Sequence, residues 1–145
     1  MGSPEVATIG YEGRDVDGIV DALRAAGVAL VVDVRLTPLS HKQGLSKRAL
    51  AAALAEAGIG YEHLRGLGNP RDDREGFRTG EPAARRRYAQ RLDHEAATDL
   101  ARLRELVGGD PIALLCVERD HEVCHRTAIT ERLRHDDPKI VVRHL

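Results

Sequence analysis

The sequence has no tryptophan and a single phenylalanine, and aromatic residues make up only 3% of its 145 positions. A surface that stacks single-stranded bases on rings is therefore poorly supplied. Cysteine is nearly as scarce. Cys116 and Cys124 alone cannot build the disulfide framework of a small secreted fold, and free thiols suit a reducing compartment. No run approaches the roughly 18 apolar residues of a membrane span. The opening MGSPEVATIG lacks the basic and apolar regions of a secretion signal. The expectation is a cytoplasmic protein that makes no membrane contact. Excess charge of one sign is missing too. With 22 Lys and Arg against 23 Asp and Glu, bulk charge recruits neither nucleic acid nor acidic lipid. No Gly-x-Gly-x-x-Gly or Walker pattern occurs, which argues against dinucleotide and P-loop mechanisms.

What is present is an alternation of strands and helices. Short apolar runs at about 6–11, 28–34, 59–64, 112–116 and 140–143 read as strands. The run at 28–34 is β-branched and the most hydrophobic. Asp15 can cap a helix with Val16, Ile19, Val20 and Leu23 on one face, stopped by Gly27. Ser46 can cap a second helix to Gly58. Helical sequence resumes at Ala83 and continues, with a bend, to Leu106. A last helix is expected to open near His121, with Asp120 as its N-cap. Residues 65–82, a Gly-, Pro- and Arg-rich stretch without pattern, read as a long functional or mobile loop. The fold expected is one α/β domain over 1–145, a three-layer sandwich around a mainly parallel five-stranded sheet of the Rossmann or flavodoxin-like kind. Its expected strand order is 3-2-1-4-5.

Open parallel sheets bind ligands beyond the carboxyl ends of their strands. Here those ends carry Tyr11, Glu12 and Arg14; Asp33 and Arg35; His63 and Arg65; and Cys116, Glu118 and Arg119. Four independent strand ends finishing in ionisable residues point to a site. Cys124, His125 and Arg126 follow at a helix N-terminus, where free N–H groups attract anions and can lower a thiol pKa.

Several ordered pieces resemble the domain-of-unknown-function 488 family of small bacterial and archaeal proteins. They include Thr8 to Arg14, Val32 to Arg35, Gly44 to Lys47, Tyr61 to Leu64, Leu67-Gly68, Leu115 to Glu118, Cys124 to Arg126 and Val142 to Leu145. His121 stands about where that family often carries proline. The resemblance implies the place of a site, since no agreed activity comes with the family. A second resemblance, to rhodanese-like domains, runs through Val31 to Arg35 and a cysteine ending a later strand. It implies sulfur transfer on Cys116, but Glu118 would then stand inside the anion cradle, where its charge is wrong for a persulfide or phosphate.

The leading expectation is a hydrolase- or transferase-like enzyme for a small anionic substrate such as a nucleotide or sugar phosphate. Glu118, Glu12 and Asp33 are its acid–base candidates, Tyr11 orients substrate, and Cys116 is a further catalytic candidate. Arg14, Arg35, His63, Arg65, Cys124, His125 and Arg126 are the substrate-binding candidates. Each has a plainer reading. Cys116 can be core, Cys124 can pack a helix on the sheet, and an Asp-Val-Arg strand end can hold two loops together. No cofactor and no metal is expected. Cys116, His121, Cys124 and His125 are a conceivable zinc or thiol redox group, which would make the protein a metal or redox sensor, but neighbouring Cys124 and His125 would diverge on a helix. The alternative from another class is a nucleic-acid-binding module. Residues 65–91 hold eight arginines against four acids, although a solvated helix face explains Arg85 to Arg87 as well. A homo-oligomer stays open.

Overall fold

A computed structural model describes residues 3–145. Strands β1 (Glu5–Gly10), β2 (Leu30–Asp33), β3 (Gly60–His63), β4 (Ile112–Cys116) and β5 (Val141–His144) form one sheet in which every pairing is parallel. Helices α1 (Val16–Ala25) and α2 (Lys47–Glu56) pack on one face through Ile19, Leu23, Leu50 and Leu54. The other face is covered by α3 (Arg74–Arg78), α4 (Pro82–Asp93), α5 (Ala97–Val107) and α6 (His125–Asp136), through Phe77, Tyr88, Leu92, Leu100, Leu103, Ile129 and Leu133. The period-2 geometry of strands divides the core. Ala113 and Leu115 of β4 face the first layer, while Ile112, Leu114 and Cys116 face the second.

The α/β class is as expected, but the strand order is β3-β2-β4-β1-β5. The expected neighbours β1 and β4 do pair, Gly10 opposite Cys116. β4, however, also pairs β2, with Leu115 opposite Asp33. Its five residues carry no charged side chain and all are buried, which suits it to the central position of the sheet. β1 carries Thr8, whose hydroxyl meets Nδ1 of His144 in β5 at 2.6 Å. Moving outward from β1 to β3 places α1 and α2 on one face, and returning through β4 to β5 places the later helices on the other. Right-handed crossovers require this division.

Local signals explain both ends of α1. Asp15 accepts from the Gly18 N–H at 2.8 Å, and Gly27 turns the chain at φ +72°. Ser46 stands at the N-cap of α2, yet its hydroxyl oxygen accepts from the Ser40 N–H at 3.0 Å and ties down the β2–α2 loop instead. Residues 65–82 contain two 3₁₀ turns, Arg65–Leu67 and Arg71–Asp73, and then α3. The Tyr88 hydroxyl donates to the Leu67 carbonyl at 2.6 Å, and Phe77 meets the Tyr88 ring edge-on at 5.7 Å. The helical stretch expected from Ala83 onward breaks into α4 and α5 around His94 to Ala96.

Against β5, the His121 and His144 rings lie parallel at 3.4 Å. Burial, then the charges of His121 and Arg126, hold the His144 pKa below its ordinary 6.5. The folded state therefore favours neutral His144. That preference supports the fold above about pH 6.5 and is lost as pH falls through the lowered value. Melting temperature is expected to drop on going from about pH 7 to 5, and H144Q should flatten that part of the profile. An unchanged slope in H144Q would remove His144 from the account.

Candidate functional site

At the carboxyl edge, β2 ends in Asp33 and the chain turns through Val34 and Arg35. The Asp33 carboxylate accepts from Arg35 Nε at 2.9 Å, Nη2 at 2.7 Å and the backbone N–H at 3.1 Å. The Tyr61 hydroxyl donates to it at 2.5 Å. The pair is sealed, with Asp33 0% and Arg35 2% exposed. Burial works against the guanidinium charge, but the bidentate bond to Asp33 overcomes it and raises the Arg35 pKa. Burial, then the bond to Asp33, likewise raises Tyr61. Arg35 Nη1 donates to the Leu45 carbonyl at 2.6 Å, and its guanidinium lies 5.5 Å from the centre of the Tyr11 ring. His63 donates from Nε2 to the Arg35 carbonyl at 2.7 Å. Asp33, Arg35, Tyr11 and His63 thus form the framework that joins β2 to two loops.

The β4–α6 connection differs from its sequence reading. Asp120 does cap, accepting from the Glu122 N–H at 2.9 Å, but what it caps is a 3₁₀ turn, His121–Val123. α6 begins four residues later than expected, at His125. Its N-cap is Cys124, in extended backbone with φ −119° and ψ 145°. On a continuous helix the side chains of 124 and 125 would diverge. Across this change of backbone they converge. Cys124 Sγ and Cys116 Sγ each lie 3.7 Å from Nδ1 of His125, and the three atoms lie within 4.8 Å of one another. His125 Nε2 faces the Val34 carbonyl at 2.8 Å. A carbonyl can only accept, so the ring proton sits on Nε2 and Nδ1 points toward the two sulfurs. Glu118 brings Oε2 to 3.5 Å from Cys116 Sγ, and its other oxygen lies 3.7 Å from Nη2 of Arg78.

The two thiols are shifted in opposite directions. The hydrogen bond to Cys124, then burial, pushes Cys116 well above the usual thiol range. Burial would raise Cys124 as well, but the bond from Cys116 and the charges of His125 and Arg126 hold it well below that range. Burial lowers His125, and the Cys124 charge outweighs it to give a net rise. The group therefore sets a thiol disposed to ionise, Cys124, beside Cys116 and the imidazole of His125.

These residues line a cavity of about 60 Å³. It falls well short of the roughly 300–1,000 Å³ that engulf a whole small ligand, but an ion with a few waters, or the reacting end of a larger molecule, fits. Of the sequence candidates the cavity gathers Arg35, Cys116, Glu118, Cys124 and His125. The other candidates do not line it. Glu12 accepts from the Arg119 N–H at 3.2 Å and braces the loop. Arg126 is 1% exposed and donates to the Glu118 carbonyl at 2.5 Å and the Arg119 carbonyl at 3.1 Å, fixing the backbone that carries Glu118. Burial, then the charges of Arg119 and Arg126, lowers the Arg14 pKa. Arg65 is exposed in the first 3₁₀ turn.

Two cavity residues escaped sequence reasoning. Asn69 is 4% exposed, lines the cavity, and its carboxamide oxygen has no hydrogen-bond partner. Arg74 lines the cavity without an ion pair among the described residues. Both lie in the patternless 65–82 stretch, where Asn between Gly and Pro looks like any turn residue.

A family model described as Domain of unknown function DUF488 matches residues 15–133, from the N-cap of α1 to near the end of α6. The chain belongs to the DUF488 family. Asp33, Arg35, Asn69, Cys116, Glu118, Cys124 and His125 all fall inside the DUF488 match. Comparison with curated proteins and with solved structures finds no match. Among the described residues, no helix is long and apolar enough to cross a membrane.

Proposed function

We propose that this DUF488 protein is a small hydrolase- or transferase-like enzyme that works on the anionic end of a small substrate admitted to the β4–α6 cavity. The observation that carries this reading is the buried, unpartnered carboxamide oxygen of Asn69, at the wall of a cavity that also holds two thiols, an imidazole and a carboxylate. Buried polar groups left without a partner are rare, and one at a cavity wall supports a ligand that satisfies it. Arg74 supplies the charge that attracts the anion, and Arg78 stands 3.7 Å from the Glu118 carboxylate. Glu118, 13% exposed, moves the proton. The enclosed volume suits a phosphate- or carboxylate-sized group, and the rest of a nucleotide or sugar phosphate would lie outside, along Thr37 and the exposed Leu39. The free thiols of Cys116 and Cys124 suit work in the cytoplasm.

Less supports the nucleic-acid alternative. Arg85 donates to the Glu122 carbonyl at 2.7 Å and lies 5.4 Å from the Phe77 ring centre, while Arg87 pairs with Asp73 at 2.6 Å. Two of the three clustered arginines are thus engaged by the protein itself.

The test is a panel of phosphate monoesters, nucleotides and acyl esters assayed with the wild type, E118Q and N69A. Loss of general acid–base help costs about 10²–10⁴-fold. E118Q should therefore lower kcat at least 100-fold while leaving the melting curve in place, and N69A should mainly raise KM. Equal turnover by E118Q, or a wild type that neither turns over nor binds any member of the panel, would overturn the reading.

A further inference from the structure

The sulfurs and Nδ1 of Cys116, Cys124 and His125 form a triangle whose sides already approach those of a metal site. Zinc binds thiolate at about 2.3 Å and imidazole at about 2.0–2.1 Å. At tetrahedral angles this places sulfur and nitrogen about 3.6 Å apart and two sulfurs about 3.8 Å apart. Both sulfur–nitrogen separations here are 3.7 Å, and the sulfurs lie within 4.8 Å. Closing the sulfurs by up to about an ångström completes the geometry. The imidazole is prepared for it. Its Nε2 proton is committed to the Val34 carbonyl, the outer hydrogen bond that orients metal-bound histidines and leaves the other nitrogen free to ligate.

We propose that Cys116, Cys124 and His125 hold one zinc ion, with the fourth coordination position open to the cavity. The inference deepens the enzyme reading by naming the cofactor of the same cavity, and it departs from the sequence expectation of no metal. That expectation assumed a helical Cys124, whereas its extended N-cap backbone turns both ligands the same way. Three protein ligands and one open position characterise catalytic zinc, while structural zinc is closed by a fourth side chain. Glu118 lies beside Cys116 without joining the ligand triangle, so it remains available as acid and base. The Asn69 carboxamide is an independent observation that points to an occupant, since its oxygen needs a donor that the protein does not supply. Bound zinc would activate a water in the cavity. Both cysteines ligate as thiolates and release their protons to solvent.

The experiment uses the full chain, purified under reducing conditions and loaded with zinc or cobalt(II). Expected are one metal per chain by elemental analysis, intense tetrahedral d–d bands with a thiolate-to-cobalt charge-transfer band, and a melting temperature that rises with zinc. C124S should lose the charge-transfer intensity and at least ten-fold in affinity. Because that variant can also lose stability, E118Q is the companion. It should keep the wild-type cobalt spectrum and stoichiometry. Two thiols that titrate freely in zinc-loaded protein, a zinc-independent melting temperature, or a Cys116–Cys124 disulfide that excludes the metal would each overturn the zinc site. Those results leave the substrate panel untouched. Conversely, a metal-loaded protein inert on the panel keeps the zinc site and removes the enzyme.

Discussion

D33A is expected to destabilise the protein by about 3–5 kcal/mol, the cost of breaking a buried ion pair from one side. Three donor groups of Arg35 and the Tyr61 hydroxyl converge on the Asp33 carboxylate, and neither member of the pair reaches solvent. Removing the carboxylate leaves a guanidinium that cannot lose its charge and cannot rehydrate without opening the β2 end. Against a total stability of about 5–15 kcal/mol, that loss threatens folding itself. The companion is R35M, combined with D33A in a double-mutant cycle. If the uncompensated charge is the main cost, the double variant should unfold at a higher denaturant midpoint than D33A alone. Strict additivity would show instead that the two residues act independently. The same pair shapes the cavity, because the Val34 carbonyl between them orients His125.

The role of that pair was half legible in the sequence. An Asp-Val-Arg strand end can face a ligand or lock loops together, and nothing local distinguishes the two. What decides is the Leu45 carbonyl, ten residues away, which takes one arm of the guanidinium. The periodic apolar runs, the Asp15 cap and the Gly27 stop were readable because they depend on neighbours along the chain. The place of β4 between β2 and β1 was not, since strand order is set by pairing between segments far apart in the chain. For the same reason the cluster of Cys116, Cys124 and His125 lay half hidden. The residues were singled out, but their convergence depends on one extended backbone at Cys124, created when Asp120 spends its cap on a 3₁₀ turn and delays the helix. Asn69 carried no sequence signal at all. It is buried because the Gly66 to Pro82 segment folds back on Tyr88, a tertiary contact.

G10A should show how closely the site depends on one close approach. A Cβ at Gly10 would stand 1.7 Å from the Glu118 carbonyl oxygen, 2.4 Å from its carbon and 2.9 Å from the Arg119 Cα. All three are backbone atoms, so no side chain can swing away. The same carbonyl oxygen is held by Arg126, and the neighbouring ladder runs from the Tyr11 N–H to the Cys116 carbonyl and from the Glu12 N–H to the Val117 carbonyl. Relief requires pushing residues 117–119 off the end of β1, which breaks that ladder and carries Glu118 out of the cavity. Overpacking of this kind costs about 3 kcal/mol or more, or roughly 10 °C in melting temperature for a chain of this size. G58A is the control. Gly58 adopts φ +76°, and a methyl group added there would meet nothing within 4 Å, so alanine carries only left-handed backbone strain, about 1–2 kcal/mol. G10A should therefore be the more damaged variant although its backbone is ordinary, and among the survivors it alone should lose turnover on the substrate panel. A G10A protein that melts like G58A, with kcat intact, would mean that the β1 and β4 ends part easily and that Glu118 is not held in place by this contact.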